Sequence, residues 1–160
     1  MNIRIGIGYD LHPLISGIPL IIGGCKVEAE KGAKGHSDAD VLIHAIIDSL
    51  LGAMGEKDIG HHFPDTDPTY KNISSLHLLS LIKDILEKKN YDIINIDSII
   101  ILQSPKLSPY IQKMKENIAD ILKIDTFQIG IKAKTSENLG IIGEEKAIAS
   151  QAISLLIQKT

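Results

Sequence analysis

From Gly35 to Gly52 the sequence reads GHSDADVLIHAIIDSLLG, a polar opening followed by an apolar run with helical spacing. A helix this apolar has to be covered by other elements, so it belongs inside a layered fold. With 160 residues the chain is by default a single domain, 1–160, and long enough for a sizeable core. Aromatics make up only 4% and Trp is absent, so that core is aliphatic and rich in isoleucine, which suits strands packed on helices. Within the run stands His44, between Ile43 and Ala45. It is either a core histidine satisfied by a neighbour, with Asp48 one turn on as the nearest candidate, or a ligand to something bound.

The remaining pattern supplies the partner layers. Residues 3–12 alternate with period two and read as a strand, and 18–27 as a second. Residues 28–37 form a polar loop, and the apolar helix runs from about Asp38 to Met54. Ser37 and Asp40 resemble a capping box. Residues 55–72 have turn chemistry and no periodicity, the mark of a binding or mobile loop. Helices are expected at 74–89, 108–123 and 144–159, and strands at 91–102 and 127–135. The alternation gives an α/β fold, a small mixed sheet layered against helices.

The formal net charge of −3 offers no field for a nucleic-acid backbone or an anionic membrane, and there is no apolar run long enough to span a bilayer. The start of the chain does not resemble a signal peptide, so a cytoplasmic protein is expected. The single cysteine, Cys25, excludes an internal disulfide and reads as a buried thiol.

Four stretches carry chemistry. Asp10 and His12, two apart on a strand, share one face; with His44 they make two imidazoles and a carboxylate, the donor set of a catalytic Zn²⁺ site. GHSDAD can seat an anion at a helix start or simply cap the helix. AKTSENLG (133–140) offers hydroxyls for phosphate and a carboxylate for Mg²⁺, or a capped loop. DIGHHFPDTD (58–67) is a binding loop or a solvated one, with His61 and His62 on the surface.

Taken in order, GYDLH, IIGG, GHSDADVLIHAIIDSLLGA, DIGHHFPDTDP, SPKLSPYI and KTSENLG span nearly the whole chain. In this register the chain resembles the 2-C-methyl-D-erythritol 2,4-cyclodiphosphate synthase family. The resemblance implies a homotrimer with active sites between subunits. It implies conversion of 4-diphosphocytidyl-2-C-methyl-D-erythritol 2-phosphate to a cyclic diphosphate with release of CMP, a phosphorus–oxygen lyase reaction of non-mevalonate isoprenoid synthesis. The rival readings are a generic Zn-dependent phosphatase or phosphodiesterase and a non-catalytic metal-binding trimer.

Residue roles follow from the same resemblance. Asp10, His12 and His44 would bind Zn²⁺, or another divalent transition metal, and Glu137 would hold Mg²⁺ or Mn²⁺ on the substrate diphosphate. His36 and Thr135 would be catalytic. Leu11, Ser37 and Ser136 would contact substrate. Asp58, Ile59 and Gly60, with Phe63, Pro64, Asp65, Thr66 and Asp67, would cover the methylerythritol portion. Leu102, Gln103, Ser104, Pro105, Lys106, Leu107 and Ser108, with Ala133 and Lys134, would form a cytidine pocket. Two departures stand out. Ile141 and Glu144 occupy positions where many members carry an aromatic residue and an arginine lining a threefold channel. Lys134 stands where threonine is frequent.

Overall fold

The computed structural model describes residues 2–159. Its frame is a five-stranded sheet in the order β4-β1-β7-β5-β6, built from β1 (Ile3–Ser16), β4 (Lys31–Ala33), β5 (Tyr91–Ile101), β6 (Ile129–Lys134) and β7 (Ala147–Gln158). β7 pairs antiparallel with both β1 and β5, and β6 runs parallel to β5, so the sheet is mixed as expected. A separate hairpin joins β2 (Leu20–Ile22) to β3 (Cys25–Val27). The long helices are α1 (Val41–Met54), α3 (Ser75–Lys88) and α4 (Ile111–Leu122); α2 (Ile59–His62) and α5 (Gly140–Gly143) are single turns.

α1 is the centre of the core. It packs on β1, β7 and β5 and is covered by α3, and Val41 to Ile47 are all buried. Its approach to β1 depends on two residues without side chains. A Cβ on Gly6 would lie 2.0 Å from the Ser49 carbonyl oxygen, and one on Gly8 would lie 2.0 Å from that of Ala45. Among the described residues no helix covers the opposite face of β1. There Ile5 and Ile7 are 68% and 61% exposed, with Tyr9 and Ile153 beside them.

Several expected boundaries change. The strand expected at 18–27 is the β2–β3 hairpin, turning at Gly23 and Gly24, and the loop expected at 28–37 contains β4. The first strand continues past His12 to Ser16. The loop 55–72 carries α2 and a 3₁₀ turn at Pro68–Tyr70. Ser37 is not the cap of α1: Asp40 is, its carboxylate accepting from the Ile43 amide at 3.1 Å.

The largest correction is the helix expected at 144–159, which is the central strand β7. Its face toward α1 carries Ser150, Ala152, Ser154 and Leu156, all buried, while Gln151 and Ile153 point to the other face. Small residues are needed there because α1 lies so close, and they make the composition resemble a helix. The buried hydroxyls are satisfied, Ser150 by the Ile99 carbonyl and Ser154 by Ser49.

Candidate metal centre and active site

β1 delivers Asp10 and His12 just beyond Gly8, on the face that α1 covers, and α1 delivers His44 next to Ala45. The side chains converge. Asp10 Oδ2 lies 2.8 Å from His12 Nε2 and 3.0 Å from His44 Nδ1, and the two ring nitrogens are 3.1 Å apart. Three donors bound at the usual distance to one tetrahedral Zn²⁺ lie about 3.3 Å apart. Two imidazole nitrogens and a carboxylate oxygen stand at nearly this spacing, close enough to ligate a single ion. The donor set therefore fits a divalent transition metal.

The electrostatics agree. Burial works to raise the Asp10 carboxyl, but the hydrogen bonds and charges of His12 and His44 outweigh it and hold the group far below the usual carboxylate range. Burial works to lower the His44 imidazole; the Asp10 carboxylate reverses this and raises it. The carboxylate thus stays ionised beside the two imidazoles, as a metal ligand must.

His44 is also held from behind. Its Nε2 lies 2.9 Å from Ser75 Oγ and 3.1 Å from Ser37 Oγ. Asp48 is not its partner. That carboxylate accepts from the Ile59 amide at 2.8 Å and so ties the start of the 55–72 loop to α1.

The triad opens into a cavity of about 360 Å³. Of the expected site residues, His36, Ser37, Ile59, Gly60, Phe63 and Asp65 line it with Asp10, His12 and His44; Asp58, Pro64, Thr66 and Asp67 do not. Asp58 and Asp67 cap the short turns of this loop, through the amides of His61 and Thr69. Leu11 points to the other face of β1 and is exposed. Tyr70 and Leu78 also line the cavity and carried no signal in the sequence, since both read as ordinary packing residues. His61 pairs with Asp58 and His62 with Glu56, which keeps both histidines off the triad.

A second cavity, of about 310 Å³, is lined by Leu102, Gln103, Pro105 to Ser108, Ile111, and Ala133 to Thr135. Ile111 is the addition here, while Ser104, Ser136 and Glu137 lie outside the lining. Glu137 is exposed and its carboxylate accepts from Thr135 Oγ1 at 2.8 Å. Among the described residues none lines both cavities. Glu144 is paired with Lys146 Nζ at 2.5 Å, which offsets its charge. Cys25 is buried beside Asn117. No helix among the described residues is long and apolar enough to cross a membrane.

The sequence pattern of the YgbB family matches residues 3–157. The 2-C-methyl-D-erythritol 2,4-cyclodiphosphate synthase of Halothermothrix orenii is 58% identical over 154 residues, 96% of this chain and 93% of that protein. Among solved structures, the bifunctional IspDF from Campylobacter jejuni superposes with a TM-score of 0.93 at 41% identity, over 97% of this chain and 42% of that one. The Plasmodium falciparum IspF CDP complex superposes with a TM-score of 0.87 at 42% identity, over 99% of this chain and 98% of that one.

Proposed function

The chain belongs to the YgbB family, and from that premise and the triad's geometry we propose that it cyclises 4-diphosphocytidyl-2-C-methyl-D-erythritol 2-phosphate to 2-C-methyl-D-erythritol 2,4-cyclodiphosphate, releasing CMP. In this intramolecular phosphoryl transfer the 2-phosphate attacks the β-phosphorus and CMP leaves. The nucleophile is already tethered to the electrophile, so the protein has to fold the substrate and neutralise charge.

Asp10, His12 and His44 would hold Zn²⁺. Bound there, the ion supplies a Lewis acid that offsets charge on a phosphate oxygen. His36, on the wall of the same cavity, donates to the transferred phosphoryl group, and the Ser37 amide helps to orient it. Thr135 donates from the second cavity. Glu137 offers one hard oxygen, which suits Mg²⁺ or Mn²⁺ whose other ligands are substrate phosphate oxygens and water. Ile59, Gly60, Phe63 and Asp65 wall in the methylerythritol portion. The cavity from Leu102 to Ser108, with Ala133 and Lys134, takes the cytidine; a relative of the same fold is a CDP complex.

The proposal extends to assembly. His36 and Thr135 line different cavities of one chain, so a site that needs both is completed by a neighbouring subunit. The uncovered apolar face of β1 and β7 supplies an interface, and a homotrimer closes it.

The observation that carries this reading is the triangle of ligating atoms with edges of 2.8, 3.0 and 3.1 Å at the head of a cavity. The test is to incubate the pure protein with substrate, Zn²⁺ and Mg²⁺ in ¹⁸O-water. CMP and a cyclic diphosphate free of label are expected. A linear phosphate carrying ¹⁸O would mean hydrolysis and would refute the cyclisation.

A further inference from the structure

We propose that Ser75 and Asp38 are positioning residues that set the tautomer of His44, and through it the metal affinity of the triad. The proposal rests on the reading of Asp10, His12 and His44 as a metal site.

The geometry runs outward from the imidazole. His44 Nε2 lies 2.9 Å from Ser75 Oγ, which is fully buried at the first turn of α3. The same hydroxyl makes a short hydrogen bond to Asp38 Oδ1, while Asp38 Oδ2 accepts from the Ser75 amide at 3.0 Å. A carboxylate can only accept, so the Ser75 proton goes to Asp38. The serine oxygen then turns a lone pair to Nε2, which must carry the hydrogen. That leaves Nδ1, the nitrogen 3.0 Å from Asp10 Oδ2, free of its proton whenever the ring is neutral. Nδ1 is the atom that has to ligate. Partners of this kind behind a ligating histidine typically carry roughly 10–100-fold in metal affinity. Asp38 therefore serves α3 as a cap and His44 as the end of a carboxylate–serine–imidazole relay. Nothing in GHSDAD alone shows this, because Ser75 enters from a distant helix.

The test is equilibrium competition for Co²⁺ against a chelator, with the visible spectrum of bound Co²⁺ recorded, on the unaltered protein, Ser75→Ala and Asp38→Asn. Ser75→Ala retains the amide that Asp38 caps. Asp38→Asn can turn an N–H toward the serine oxygen, which sends the serine proton to Nε2 and the ring proton to Nδ1. We expect Co²⁺ affinity about 10–100-fold weaker in both variants, with a changed spectrum and an unchanged far-ultraviolet circular dichroism. A purely structural role would lower the melting temperature and leave the affinity and spectrum of the folded protein as they were; that result in both variants would overturn the proposal. Failure of the unaltered protein to take up Co²⁺ would instead refute the metal site on which it rests.

Discussion

Asp40 shows how far one side chain reaches. Its Oδ1 accepts from the amides of Gly23 and Ile43 at 2.9 and 3.1 Å, and its Oδ2 from Gly24 at 2.7 Å, so it joins the β2–β3 turn to the start of the helix that carries His44. Burial pushes the carboxyl from 3.8 up to about 6, with these three amides resisting. Asp40→Asn places an amide N–H against the Gly24 N–H and should cost about 1–3 kcal/mol. The cost depends on pH. Between 3.8 and about 6 the folded protein keeps a proton that the unfolded chain has lost, so this group's contribution to stability falls as pH rises and levels off above about 6. The stability gap between the two proteins should therefore narrow from pH 4 to pH 7, by at most about 3 kcal/mol. Denaturant melts across that range check it, and a gap that widens contradicts the assignment. In the sequence Asp40 reads as the partner of a Ser37 cap, since either residue suits the position; the choice between them is made by the Gly23–Gly24 turn, which local pattern does not reveal.

At the scale of elements, the site exists because α1 lies almost on the backbone of β1. A methyl group on Gly8 has no room beneath the Ala45 carbonyl, so Gly8→Ala should lift the helix beside His44. We expect destabilisation of about 1–3 kcal/mol or more and a clear loss of metal affinity. Chelator competition on the folded variant checks this, and unchanged affinity would show that the close approach does not hold the triad. The same closeness explains what was legible. The D-x-H pair shares a strand face by its period of two, and His44 stood out against an apolar helix, so spacing picked out the three residues that the structure brings together, while their joining into one metal site came from the family resemblance. Strand β7 could not. Its alanines and serines exist to make room for α1, and a requirement set by another element mimics helix propensity in its own. Ser75 and Tyr70 were hidden for the related reason that chain folding, not spacing, brings them to the site.

At the scale of the molecule, two facts bear on the proposed assembly. The sheet leaves isoleucines exposed on one face, and the residues assigned to catalysis line two cavities rather than one. The proposed trimer, in which each triad cavity meets a neighbour's Thr135 cavity, would account for both. The most direct test of this account is complementation between His44→Ala, which loses the metal ligand, and Thr135→Ala, which loses the donor in the other cavity. Each variant alone should be inactive. Co-expressed with different tags and purified as mixed trimers, they should regain CMP release, because every mixed trimer, whichever variant is in excess, has about one interface in three that pairs an intact triad with an intact Thr135. Mixed trimers that form and remain inactive would contradict a site shared between subunits.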